Sequence, residues 1–372
     1  MKSYLFNPEN DLALAVGVAN YTPPKNAMLL SRCGSLLPLW YAEKGSYILA
    51  DNADSLWIEE VKSLFGIEAT VTATLPADLE CSPWGWSPYA AAKFSAAGVS
   101  NSVMPDEIQL HRLRQLSHRR TTIDIVTRLK ALLPFDVLKE PVEAKTIDDV
   151  SRCIERFGTV YFKSPWSSTG RGVASSSAME ADEVLRRCKG IITRQGSVMI
   201  EPEVNKKEDF AMLFYAERGK IVPVGFSLFK NEGNSYSDNL LLPDKEILAY
   251  LGKYVDEERI LGLNKHLREV LTEVIGDAYN GFFGVDMMIF SDDNGYHIDV
   301  CTELNLRMTM GVVAWLFRRD YLADGVSARF SVKYGDACEL QTPPQIVSGR
   351  LVSGTLNLVP PGQPFSIMVS VE

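Results

Sequence analysis

The sequence predicts an α/β protein of two or three domains, and three observations carry that expectation. The chain has 372 residues, enough for more than one core at about 150 residues per domain. Its first hundred or so residues alternate apolar stretches, KSYLF (2–6) and SYILA (46–50), with helical periods near 25–44 and 54–65. Further on, FFGVDMMIF and YHIDVCTELNLR flank the turn SDDNG and read as a β-hairpin.

The remaining elements follow in order. The segment CSPWGWSPYAAAKFSAAGV (81–99) mixes turn residues with a helical stretch, and its tryptophans read as packing groups. A helical region over 106–132 carries the basic stretch LSHRR. Pro134 and Pro141 mark a boundary, followed by a helix around 147–157, the strand TVYFKSP, a Gly/Ser loop and a helix at 180–189. Strands are expected near 197–204, 209–216 and 220–229, and the polar NEGNSYSDN (231–239) reads as a long loop. A helix at 261–279 leads into the hairpin, and residues 331–372 return to strand and turn character.

Composition narrows the function classes. A net charge of -9 argues against a nucleic-acid or anionic-membrane partner while allowing a local positive pocket for a small anion. The longest apolar runs fall short of the roughly 18 residues that span a bilayer. The opening MKSYLFNPENDLALAV meets Asn, Glu and Asp too early for a signal peptide, so a cytoplasmic location is expected. Six scattered cysteines and four histidines form no C-x-x-C, H-E-x-x-H or Cys/His cluster, which speaks against zinc and a disulfide framework. No G-x-S-x-G is present, so a nucleophile-elbow hydrolase is not expected.

The hairpin carries the chemistry. On its second strand Tyr296, Ile298, Val300, Leu304 and Leu306 fall on one face, while His297, Asp299, Cys301, Glu303, Asn305 and Arg307 fall on the other. A solvated strand face is the plain alternative. On the first strand Asp286 is the one ionisable side chain between Phe282 and Phe290, costly there unless paired or bound to a cation. Glu303 could meet it across the hairpin. Two carboxylates and an amide oxygen are hard ligands that suit Mg²⁺, which completes its shell with water and phosphate oxygens. Asp299 competes for this role about 13 Å away along the strand, but Asn305 and Arg307 extend from Glu303. Arg307 would then contact a phosphate.

Two further stretches fit a nucleotide. FKSPWSSTGRGV (162–173) places Lys163 at a strand end before a loop of small residues, able to offer a cation and backbone N–H groups to phosphates. An ordinary surface turn is the alternative. VMIEPEV (198–204) runs a strand into a polar junction that could offer Glu201 and backbone groups to an adenine edge, or be a simple strand end.

Taken in order, the lysine strand with its Gly/Ser loop, the Glu-bearing junction, the acid strand and E-x-N-x-R resemble the ATP-grasp superfamily, over roughly residues 110–315. The resemblance implies an α/β (α+β ATP-grasp) fold. Its parts would be an N-terminal preATP-grasp-like α/β domain (1–105), a linker helix and small lid subdomain (106–200), an antiparallel-sheet catalytic subdomain (201–330) and a strand-rich extension (331–372). It implies ATP with Mg²⁺ or Mn²⁺ as cofactors. Asp286, Glu303 and Asn305 would hold metal, and Arg307 would stand beside the transferred phosphate. Lys163 would lie on the α/β-phosphates, under a lid loop that includes Ser167, Ser168, Thr169, Gly170 and Gly172. Glu201 and Val204 would meet the adenine edge. The family's earlier lysine corresponds to Arg119 or Arg120 in LSHRRTT, a change of geometry at constant charge.

The chemistry so implied is ADP-forming ligation: a carboxylate becomes an acyl-phosphate, and an amine or another nucleophile displaces phosphate. A kinase-type phosphotransferase and a non-catalytic nucleotide-binding module are the alternatives. The expected partners are small-molecule carboxylate and amine substrates, with no nucleic acid or membrane, and the resemblance implies a homodimer. For the acceptor, FNPENDLAL (6–14), with Asn7, Glu9, Asn10 and Asp11 after the first strand, and NSYSDN (234–239) are candidates. For the loop after the first strand, an Asx-type turn capping the next helix is the alternative. Arg318 and Arg319 could bind a carboxylate or simply end a helix.

Overall fold

The computed structural model describes residues 1–51, 54–167, 172–232, 235–335 and 342–371. The chain opens with β1 (Lys2–Leu5), α1 (Asn10–Val16), α2 (Lys25–Cys33), β2 (Ser46–Leu49), α3 (Ser55–Phe65), β3 (Ala69–Thr72), β4 (Glu80–Pro83) and α4 (Pro88–Ala96). The four strands form one parallel sheet in the order β3-β2-β1-β4. Helices fill the crossovers from β1 to β2 and from β2 to β3, while residues 73–79 alone carry the chain from β3 to β4 on the far side of β1. Local signals set the ends. Asp54 accepts from Leu56 N and Trp57 N to start α3, Gly66 ends it in the left-handed region at φ 66°, and Ser87 caps α4.

The helical region expected over 106–132 is made of two helices, α5 (Glu107–Leu116) and α6 (Thr121–Leu132). An Asp106/Gln109 capping box opens α5, and the break falls at Ser117–Arg120, where Arg119 N bonds Pro165 O at 3.1 Å. That tertiary bond interrupts a segment whose composition alone reads as helical.

A small unit follows: β5 (Val142–Ala144), α7 (Ile147–Phe157), β6 (Val160–Lys163), β7 (Val173–Ser175), α8 (Ala181–Gln195) and β8 (Val198–Pro202). Its strands form an antiparallel sheet in the order β5-β8-β6-β7. The two helices close a separate core of Val150, Val160, Phe162, Val184, Cys188 and Ile200.

The largest sheet begins with β9 (Asn205–Glu217), β10 (Lys220–Glu232) and β11 (Ser235–Leu241), then continues after α9 (Asp244–Leu251) and α10 (Glu257–Ile275) with β12 (Gly281–Asp292) and β13 (Gly295–Asn305). After α11 (Met310–Tyr321) come β14 (Ala328–Tyr334), the two-stranded β15 (Gln345–Val347) and β16 (Arg350–Ser353), then β17 (Thr355–Asn357) and β18 (Phe365–Val371). The eight-stranded order is β13-β12-β9-β10-β11-β14-β18-β17, so residues 331–371 contribute strands to this sheet. The segment expected as a loop at 231–239 is a correction: the described part of it is strand, with β10 paired to β11 and β11 to β14. Its polarity misleads because Asn231 and Asn239 line a cavity instead of meeting bulk solvent.

Side-chain alternation sends successive residues to opposite faces of this sheet. Phe210, Met212 and Phe214 of β9 join Phe283, Val285, Met287 and Ile289 of β12 against α6, α9 and α10. Ala211 and Leu213 face the other way, in the core where the N-terminal parallel sheet and its helices meet α11 and the last strands. Trp40 anchors that core, fully buried, with Nε1 donating to Leu358 O at 2.7 Å. Among the described residues no helix is long and apolar enough to cross a membrane.

Candidate active site

The hairpin forms as expected and supplies one end of a cavity of about 330 Å³. Asp286 of β12 is the direct cross-strand partner of Glu303 on β13, and Gly284 pairs with Asn305. The register then shifts: the next pair is Met288 with Asp299, so four steps along β13 answer two along β12. This bulge corrects the strict alternation read from sequence. Cys301 turns into the hydrophobic core and Thr302 into the cavity, the re-aiming that a bulge produces.

The two carboxylates shape the electrostatics. Burial and then the neighbouring Glu303 push Asp286 up to about 7. Glu303 is held by Arg119, whose Nη2 lies 2.7 Å from Oε1. Asn305 Oδ1 accepts from Arg307 Nη2 at 2.8 Å. Among the described residues no group of three or more His, Cys, Asp or Glu gathers as a ready metal centre. A facing acid pair with one amide still fits a hard cation that takes its other ligands from water and phosphate, provided that Asn305 turns its oxygen from Arg307.

Cations surround this pair. Of the two candidates in LSHRRTT, Arg119 is buried in the cavity wall. Its Nη1 reaches Ser164 O at 2.5 Å and Ser167 Oγ at 2.7 Å. Arg120 is half exposed and bonds Gln115. Arg307 is held from the N-terminal domain: its Nε and Nη2 lie 2.9 and 2.8 Å from Asp11 Oδ2, and Nη1 donates to Met308 O at 3.1 Å. The first turn of α11 opens on the same space through Thr309, Met310 and Gly311, so the positive end of a helix faces it.

At the other end Lys163 and Glu201 form an ion pair of 2.7 Å, with Val204 nearby in the wall. A residue that sequence reading missed completes this group. Lys139, 3% exposed, bridges Glu201 at 2.5 Å and Asp299 at 2.7 Å. Burial alone would raise Glu201, but Lys139 and Lys163 outweigh it and hold the carboxyl down at about 2. Asp299, the competitor for the metal role, is therefore committed to Lys139. Lys139 lies in the irregular stretch before β5, where nothing in the local pattern marks a buried cation.

The lid loop is partly visible. Ser167 lines the cavity, while Ser168, Thr169 and Gly170 lie outside the described residues. Gly172 is packed so closely that an added Cβ would stand 2.4 Å from Ser167 Cβ, and its carbonyl accepts from Ser164 N at 2.7 Å. No larger residue fits there without movement.

The loop after β1 divides its work. Asn7 Nδ2 donates to Gly85 O at 2.8 Å, and Asn10, with its amide oriented as its neighbours require, donates to the same carbonyl at 2.8 Å. These two asparagines tie the loop to the one after β4. Asp11 alone of the four candidates reaches Arg307, while Glu9 pairs with Lys93 at 3.2 Å. Arg319 is paired with Asp320, and neither Arg318 nor Arg319 lines this cavity.

No protein-family model and no curated protein matches the chain. Among solved structures, a biotin carboxylase from Campylobacter jejuni in complex with β-γ-ATP is similar at a TM-score of 0.52 and 10% identity, over 100% of this chain and 87% of that one. Also similar is the ADP complex of N5-carboxyaminoimidazole synthetase from Staphylococcus aureus, at 0.48 and 11% identity, covering 100% and 93%. The biotin carboxylase domain of the Hydrogenobacter thermophilus 2-oxoglutarate carboxylase follows at 0.49 and 11%, covering 88% and 86%. With the parallel N-terminal sheet, the small antiparallel unit and the large antiparallel sheet that together frame the cavity, the match to the first of these identifies the architecture: this chain has the ATP-grasp fold.

Proposed function

We propose that the protein is an ATP- and Mg²⁺-dependent ligase that activates a carboxylate as an acyl-phosphate for attack by an amine. One observation carries the reading. A single cavity sets an adjacent, undercompensated acid pair, Asp286 and Glu303, among Lys163, Arg119 and Arg307. Acids left facing each other invite a divalent cation, and separate cations around them suit a polyphosphate. No nucleophilic side chain is required, because acyl transfer through phosphate asks the protein for positioning and charge stabilisation. The ATP-grasp fold supports the same reading.

Each residue takes a role from where it stands. Glu201 and Val204 would line the base end, and Lys163, paired with Glu201 there, would reach the α/β-phosphates. Asp286, Glu303 and Asn305 would hold Mg²⁺, or Mn²⁺ in its place. Once bound, the ion supplies charge neutralisation on the transferring phosphoryl group. Arg307, fixed by Asp11, stands beside the first turn of α11, a fitting place for the substrate carboxylate. A carboxylate oxygen attacks the γ-phosphorus and ADP leaves. The amine nitrogen then attacks the acyl carbon, inorganic phosphate leaves with the acyl-oxygen bond electrons, and the nitrogen gives up its proton to the departing phosphate or to solvent.

Incubation with ATP, Mg²⁺, a carboxylate panel and hydroxylamine tests this. A ligase produces an acyl hydroxamate together with ADP. ADP release with a stable phosphorylated product and no hydroxamate would mean a phosphotransferase instead.

A further inference from the structure

A second cavity, of about 1060 Å³, lies against the carboxyl-terminal ends of β1, β2 and β3, lined by Leu5, Phe6, Leu49, Ala50 and Ala73. In open parallel sheets this is the edge where ligands collect. Pro8 lines the cavity described above and Glu9 lines this one, so the loop after β1 separates them. Pro360 and Gln363, from the segment between β17 and β18, close it on another side.

Its wall holds an unusual group. Glu9 is 1% exposed, and only one of its oxygens is satisfied: Lys93 Nζ lies 3.2 Å from Oε1, while Oε2 has no hydrogen-bond partner. Glu9 stands at the N-cap of α1, yet its side chain makes no capping bond, so that oxygen is not spent on the helix. A buried carboxylate oxygen without a donor is costly, and native proteins rarely leave one so. On the same wall Arg32 is exposed and, among the described residues, carries no ion pair. Asp51 and Asp54 also line this wall, so beside these acids the site offers an acceptor in want of an N–H donor and an exposed cation that none of the described residues pairs.

We propose that this cavity is a second small-molecule site, taking a zwitterion that carries both an amine and a carboxylate, of amino-acid or short-peptide type. Its ammonium donates to Glu9 Oε2 and its carboxylate meets Arg32. Lys93, held over the Tyr89 ring at 4.7 Å from the centroid, fixes the other Glu9 oxygen. The proposal goes beyond the ligase reading and does not depend on it.

Calorimetric titration of the full chain with the common amino acids and a set of glycine dipeptides tests it, alongside Glu9→Gln and Arg32→Ala. At least one probe is expected to bind, and each substitution should weaken it at least about tenfold. ADP·Mg²⁺ binding, measured on the same samples, should stay within about twofold of the unaltered chain, since neither residue lines that cavity. That control shows both variants folded and separates failure here from failure of the ligase reading. If no probe binds, or if binding survives both substitutions, Glu9 Oε2 is satisfied by water alone and the proposal is wrong.

Discussion

The two ends of the cavity of about 330 Å³ are both rich in charge, and they balance it in opposite ways. At the end near β5, Lys139, Lys163, Glu201 and Asp299 close on one another, and Glu201 sits at about 2. At the hairpin end Asp286 and Glu303 face each other, and Asp286 rises to about 7. A carboxyl held low by its neighbours has been paid for by them; one held high is a vacancy for positive charge. On the proposed function, the hairpin is the end that would take a cation, while the other end is held by its own ion pairs.

The largest effect should come from breaking those ion pairs. Lys139→Met leaves Glu201 and Asp299 buried without their shared cation, and should destabilise the fold by about 3–5 kcal/mol in urea denaturation. A loss below about 1 kcal/mol would show that the network is not a structural unit. At the hairpin the same measurement should run the other way. Asp286→Asn relieves the facing charges and should raise the stability of the metal-free protein at pH 8 by on the order of 2 kcal/mol.

Acidity sharpens the comparison. Asp286 is raised from about 3.8 to about 7, so its contribution is present below about pH 4 and is lost as pH rises through 7. Glu201 is lowered from about 4.5 to about 2, so its contribution is present above about pH 4.5 and is lost as pH falls towards 2. The stability gap between Asp286→Asn and the unaltered chain should therefore widen from pH 5 to 8. The gap for Glu201→Gln should instead narrow only in acid below about pH 4.5. Matching profiles for both would erase the distinction between the two ends.

A smaller effect is expected where the N-terminal domain touches the hairpin. Asp11→Ala should lower kcat about tenfold while nucleotide affinity changes little, because it frees the Arg307 guanidinium without removing it. An equal fall in affinity would place Asp11 in binding instead of positioning.

The sequence made the two ends unequally legible for a physical reason. The acid pair, Asn305 and Arg307 lie on one hairpin, so period-two alternation and a turn rich in Asp, Asn and Gly were enough to put them together. Lys139, Glu201 and Asp299 come from an irregular stretch and two strands far apart in the chain, and no local period announces their meeting. The bulge that turns Thr302 inward is likewise a matter of pairing, not of pattern. Asn231 and Asn239 misled in the opposite sense: polar residues that line a cavity look like a loop when only one strand is read. Arg119 was narrowed to two neighbours by its motif, and burial separates them.

Calorimetric titration with ADP in the presence and absence of Mg²⁺, on the unaltered chain and on Glu303→Gln, tests the central claim most directly. The account predicts metal-dependent binding to the unaltered chain and a loss of at least about 100-fold in the variant, since an isosteric amide keeps the shape and removes the charge. Equal binding by both proteins, with or without metal, would contradict it and leave the hairpin an ordinary strand pair.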